Sequence, residues 1–234
     1  MSILFSNPPW WEGKESRGFL RKKRWRRGVR AGSRWPFTYL GRCTPDNPRA
    51  HDYMPYPFFL GYATTYAANK IGKDKVFFRD SIALSESYNN FYKYLDSIHN
   101  KIEYFLIESA TPSWEHDYNL IKEIKSKYPN LKIVVAGPIS TSDEKWDSEI
   151  VHAVIKGEYE KNIIKVLEGQ TGVINHDLLT KDEMNAAPIP YYDDMIYDKY
   201  FDGNPIPMNI LHPQAHIWSS RGCPFKCIFC VWPA

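Results

Sequence analysis

Short apolar runs alternating with longer amphipathic segments constrain the fold of this chain more than any other feature. "SILFS" (2–6), "KVFFR" (75–79), "IEYFLIES" (102–109), "LKIVVAG" (131–137) and "HAVIKG" (152–157) are strand-length, and "LKIVVAG" is the most β-branched stretch of the chain. Helical patterns lie between them. "PFFLGYATTYAANKIG" (57–72) has a proline at its start and a glycine at its close. Residues 85–100 carry Phe91, Leu95 and Ile98 on one face, 114–128 carry Leu120, Ile121 and Ile124, and 158–168 form the last helix. Strands alternating with helices predict a parallel sheet with right-handed crossovers. The expectation is a doubly wound α/β domain of the flavodoxin or Rossmann-like type over residues 1–169, with five parallel strands ordered 2-1-3-4-5.

A sheet of this kind binds ligands outside the C-terminal ends of its strands. Four loops fall there: Asn7, Pro8 and Pro9; Ser109 to Thr111; Gly137, Pro138 and Ile139; and Gly157 with Glu158. Glycines and prolines end strands in any such fold, so each loop also has a purely structural explanation. Gly137 and Gly157 would let a ligand approach the backbone closely.

Two segments interrupt the pattern. Residues 11–55 form a basic, aromatic insertion. Between Lys14 and Arg34 there are ten Lys or Arg and one acid, a local charge of +9; with a net charge of +3, the rest of the chain carries 3 − 9 = −6. Such a run is a solvated loop or a contact for a phosphate-bearing ligand; Phe19, Trp25, Trp35 and Phe37 in and beside it are unusual for a solvated tail. No nucleic-acid-binding fold accompanies it, so sequence-specific nucleic-acid binding is not expected. Residues 170–212, punctuated by Pro188, Pro190, Pro205 and Pro207, read as an ordered linker lying over a neighbour. "AHIWSS" (215–220) then starts a new strand in a segment spanning 213–234. No stretch approaches twenty apolar residues, so no membrane span is expected, and "MSILFSNPPW" lacks the features of a secretory signal.

Three of the four cysteines fall within eight positions, in "GCPFKCIFC": Cys223, Cys227 and Cys230. That clustering is no disulfide framework and suits a reducing, cytoplasmic setting. Structural zinc takes four ligands, so a zinc site would need a remote partner such as His212, His216 or Cys43. A three-thiolate iron–sulfur cluster would leave one iron open for a ligand. Three ordinary buried cysteines are the remaining alternative.

"SSRGCPFKCIFC" resembles the cluster motif of radical S-adenosylmethionine (radical SAM) enzymes. The resemblance implies that Cys223, Cys227 and Cys230 hold a [4Fe-4S] cluster, with S-adenosylmethionine on the fourth iron and reductive cleavage to a 5′-deoxyadenosyl radical. It sets Phe229 against the adenine, and Arg221, Gly222 and Pro224 match the usual flanks. "ILFSNPPW", "PFFLGYATTYAANKIG", "FLIESATPSW", "IVVAGPIST", "VIKGEYEKNIIKVLEG" and the linker's "APIPYYDD" resemble the cobalamin-binding domain that precedes the radical domain in one subgroup. The resemblance therefore implies cobalamin on the strand-end loops and an enzyme such as a methyltransferase or a carbon-skeleton-modifying enzyme.

Two departures qualify it. The Asp-x-His-x-x-Gly motif that supplies a histidine to cobalt in some cobalamin proteins is absent after the first strand, and His116 reads as a surface residue. A (β/α) barrel needs about 200 residues or more, whereas only its first strand and cluster loop are expected here; the expectation is a truncated gene, a split partner or a fragment. Two rivals are a non-catalytic module binding a corrinoid or phosphate ligand, and a zinc-stabilised structural protein.

Overall fold

In a computed structural model, residues 1–15, 23–28, 37–38, 54–141, 146–192, 199–200, 215, 217–218, 221 and 228 are described. The expected α/β core is there. Six parallel strands, β1 (Ile3–Asn7), β5 (Val76–Asp80), β6 (Tyr104–Glu108), β7 (Lys132–Ala136), β8 (Val151–Ile155) and β9 (Gly172–Ile174), line up in the order β5-β1-β6-β7-β8-β9. The five anticipated strands keep their order, and β9 adds a sixth at the edge inside the stretch read as linker. Side chains alternate across the pleat. Ile3, Phe5, Leu106, Val134 and Ile155 join the core under helices α1 (Phe58–Ile71) and α4 (Glu160–Leu167). Leu4, Phe105, Ile107, Val135 and Val154 face α2 (Tyr88–Ile98) and α3 (Trp114–Lys127) on the other side. Fully burying each large apolar side chain contributes about 1.5–3 kcal/mol, so two such layers hold the sheet between them. Ser87 caps α2 by accepting the Asn90 N–H at 3.2 Å, and Gly72 (φ +103°) closes α1 as its position in the sequence suggested.

Two expectations change. The insertion is not simply a loop: β2 (Trp11–Glu15), β3 (Lys23–Gly28) and β4 (Phe37–Thr38) form an antiparallel sheet. Its register runs from Trp11 opposite Arg27 to Glu15 opposite Lys23. Ala215, Ile217 and Trp218, within the expected barrel strand, belong to no helix or strand. A strand needs a neighbour to pair with, and here the Trp218 N–H donates instead to the Tyr62 hydroxyl at 3.0 Å. The linker contains a short helix, α5 (Lys181–Asn185), started by a Thr180–Glu183 capping box. It is pinned to the sheet domain where the Tyr191 N–H donates to the Gly61 carbonyl at 3.0 Å. No helix among the described residues is long and apolar enough to cross a membrane.

Candidate functional site

From β1 the chain moves to β5 on one side and then returns past β1 to β6 on the other. The topological switch point, where a doubly wound sheet opens its ligand crevice, therefore lies between the ends of β1 and β6. The structure brings the Asn7–Pro9 and Ser109–Thr111 loops to that point. Asn7, Pro8 and Pro9 are buried there. The Asn7 amide donates to Asp80 Oδ1 at 2.9 Å. That same oxygen accepts the backbone N–H groups of Ile82 and Ala83 at 3.0 and 3.1 Å, and Asp80 Oδ2 accepts the Tyr200 hydroxyl at 2.9 Å. Four hydrogen bonds on one buried carboxylate tie the ends of two strands to the linker. Burial, then the Asp80 charge, raises the Tyr200 phenol well above its ordinary range.

The strand β2 begins directly after this loop and crosses above it. Trp10 is fully buried, and its carbonyl accepts the Gly28 N–H at 2.8 Å. On one side the Trp11 indole N–H donates to the Glu86 carbonyl at 2.7 Å. On the other, Glu12 Oε1 lies 3.5 Å from His116 Nε2, and the Trp10 and His116 rings are 6.3 Å apart. His116, expected at the surface, is thus half-buried beneath the hairpin. The described start of the insertion thus packs beside the ends of β1 and α3.

Ser109 is buried, and its hydroxyl donates to Asp117 Oδ2 at 2.7 Å; Ser113 donates to the same oxygen at 2.6 Å. The first turn of α3 thereby carries its own carboxylate, while Thr111 is exposed. Gly137 has φ +96°, and a Cβ there would lie 2.3 Å from the Ser109 carbonyl oxygen. Gly157 has φ +76°, and its Cβ would lie 2.3 Å from the His176 ring. Both glycines make room for the chain itself: one lets two ligand-side loops close on each other, the other admits a ring. Pro138 is exposed beside them.

The densest chemistry lies under α1 and α4 at the β6 and β8 ends; of it, only Glu158 and Arg221 were singled out in the sequence. Glu108, Tyr159 and Glu160 are all buried. Burial pushes the Tyr159 phenol well up, with the Glu108 carboxyl beside it adding to the rise. Burial also raises Glu160, against the pull of the Arg221 guanidinium. Arg221 Nη1 pairs with Glu160 Oε1 and lies 3.6 Å from Glu158 Oε1. Its guanidinium sits 4.5 Å from the Tyr62 ring centre and 4.8 Å from that of Trp218. Trp218 in turn stacks on Phe58 at 5.1 Å and on Tyr62 at 5.5 Å, and meets Phe59 edge-on at 4.6 Å. The sequence hints were Glu158 in a strand-end loop and Arg221 beside the cysteines, with Glu160 two residues on at the start of a helix.

Cys223, Cys227, Cys230 and Phe229 lie outside the described residues. Among the described residues no group of three or more His, Cys, Asp or Glu is placed to hold a metal ion. The donor chemistry of the cysteine loop, three thiolates within eight positions, fits a cluster.

No protein-family profile and no solved structure matches this chain. An uncharacterized methyltransferase of Pyrococcus horikoshii is similar to it, with 28% identity over 145 residues, 52% of this chain. The match spans 30% of that protein's length.

Proposed function

We propose that this chain is the α/β module and cluster-bearing segment of a radical S-adenosylmethionine methyltransferase. The observation that carries the reading is the cysteine triplet in "RGCPFKCIFC". Arg221, two residues before the first cysteine, is fastened to the β8–α4 loop, at the end of the sheet where ligands of such folds lie. Similarity to a methyltransferase supports methyl transfer. Cys223, Cys227 and Cys230 would hold the cluster as thiolates, with Phe229 against the adenine. The cluster would supply one electron to S-adenosylmethionine. A reducing, cytoplasmic setting keeps the thiols free.

Anaerobic reconstitution with iron and sulfide tests this. About one four-iron cluster per chain is expected, lost in Cys223→Ala, Cys227→Ala and Cys230→Ala and retained in Cys43→Ala, because an open-site cluster needs all three thiolates. Zinc in place of iron, or loss with Cys43→Ala, refutes the assignment.

Within this reading the sheet carries cobalamin without a histidine on cobalt. Hydroxocobalamin should bind the full chain, and its Co(II) form should show no axial nitrogen splitting in electron paramagnetic resonance. One observation favours a second reading, a scaffold that holds no corrinoid: Pro8, Pro9 and Trp10, at the switch point, are already buried by the chain itself. A folded chain that takes up the cluster and leaves hydroxocobalamin unbound would decide for the scaffold.

A further inference from the structure

We propose that Arg221 positions the cysteine loop, by locking the segment that carries it onto the α1–α4 face of the sheet domain. Three independent contacts converge on that segment. The guanidinium pairs with Glu160, whose carboxylate is buried, and lies against Glu158. It also lies 4.5 Å from the Tyr62 ring centre and 4.8 Å from that of Trp218, against both of the stacked rings. The Trp218 ring fills a slot among Phe58, Phe59 and Tyr62 while its backbone N–H donates to the Tyr62 hydroxyl. A planar, five-donor guanidinium can pair with a carboxylate and stack on rings at once, which an ammonium cannot. Glu160 Oε2 has no hydrogen-bond partner among the described residues, so the arginine on Oε1 supplies the neighbouring positive charge of this buried acid. Both acids belong to the loop and helix start after β8. The anchor therefore fixes residue 221, two positions before Cys223 in the sequence, beside the C-terminal rim of the sheet. That an iron–sulfur cluster forms on that loop rests on the preceding section; the docking does not.

The test uses the full chain with Arg221→Gln, Arg221→Lys, Glu160→Gln and the double variant Arg221→Met/Glu160→Gln, which leaves no unpaired buried charge. In iron-free protein, hydrogen exchange of the Trp218 amide should speed up by about tenfold or more in Arg221→Gln and in the double variant, with the amides of β6 and β7 unchanged as the control for folding. Arg221→Lys should lie between these and the wild type. After reconstitution the same variants should load iron but lose the cluster about tenfold faster on exposure to chelator. Unchanged Trp218 exchange in the double variant overturns the docking. Faster exchange with unchanged cluster loss overturns the positioning role. A wild type that takes up no iron, yet whose Trp218 exchange responds to Arg221→Gln, refutes the cluster assignment and upholds the docking.

Discussion

Replacing Gly137 by alanine separates two costs that usually arrive together. At φ +96° an L-residue carries a left-handed penalty of about 1–2 kcal/mol. The new Cβ would also fall 2.3 Å from the Ser109 carbonyl oxygen and 2.9 Å from its nitrogen. Those are backbone atoms and cannot rotate away. Ser109 would have to shift while its N–H is bonded to Ala136 at 2.9 Å and its carbonyl to the Ile139 N–H at 3.4 Å. Weakening both bonds costs about 1 kcal/mol each. Any Gly→Ala change regains about 0.4–1 kcal/mol by restricting the unfolded chain. The expected net loss is about 2–4 kcal/mol, which for a domain of this size lowers Tm by roughly 4–16 °C. Gly169 supplies the control: φ is +108°, and nothing lies within 4 Å of its Cβ position. Gly169→Ala keeps only the conformational penalty and should cost about 1 kcal/mol. Gly157→Ala meets the exposed His176 ring, which can swing aside, so it should resemble Gly169→Ala, with His176→Ala removing any excess. Thermal and urea unfolding followed by circular dichroism read all of these. Equal losses for Gly137→Ala and Gly169→Ala would refute the close approach of the β6 and β7 loops.

Burial holds Glu160 above its ordinary carboxylate range, so its contribution to stability is full at low pH and is lost as pH rises from that range through the raised value. Urea melts from about pH 4 to about pH 8 should therefore show wild-type stability falling relative to Glu160→Gln, and falling further in Arg221→Met, where the opposing charge is gone; parallel profiles would contradict this. Asp80→Asn should cost about 1–3 kcal/mol, because an amide turns donors toward donors at a carboxylate accepting four hydrogen bonds. Adding Tyr200→Phe to Asp80→Asn should cost little more, whereas additive losses would argue against a direct bond. Gly28→Ala would set a Cβ 2.0 Å from the buried Trp10 ring and should open the hairpin to protease without a large change in overall Tm; an unaltered cleavage rate would count against the packing of Gly28 on Trp10.

The sheet was readable because its strands are buried on both faces, and Phe105, Leu106 and Ile107 leave no other use for such a run. β9 was not: of its three residues Gly172 and Val173 are exposed, too short and too wet to show a period. β2 and β3 were hidden by their charges, since "WEGKE" and "KRWRRG" offer no apolar alternation and depend on cross-strand pairing. The four anticipated loops follow the C-terminal ends of β1, β6, β7 and β8. Yet the glycines there, chosen for ligand approach, have their Cβ space filled by Ser109 and His176. Glu108 and Glu160 drew no reading from the sequence, because nothing local in it reveals that a distant arginine and an aromatic row will enclose one of them.

Tyr62 and Trp218 lie 156 residues apart, so the helix and the residue that covers it are synthesised at different times. At about 5–20 residues per second, roughly 8–30 s pass between them. Throughout that interval Phe58, Phe59 and Tyr62 await the ring that packs on them, and Glu160, once made, awaits its arginine. The nascent domain thus leaves the ribosome with an uncovered aromatic strip, the kind of surface on which chaperones act and nascent chains self-associate. The last twenty residues end that exposure as well as carrying the cysteines.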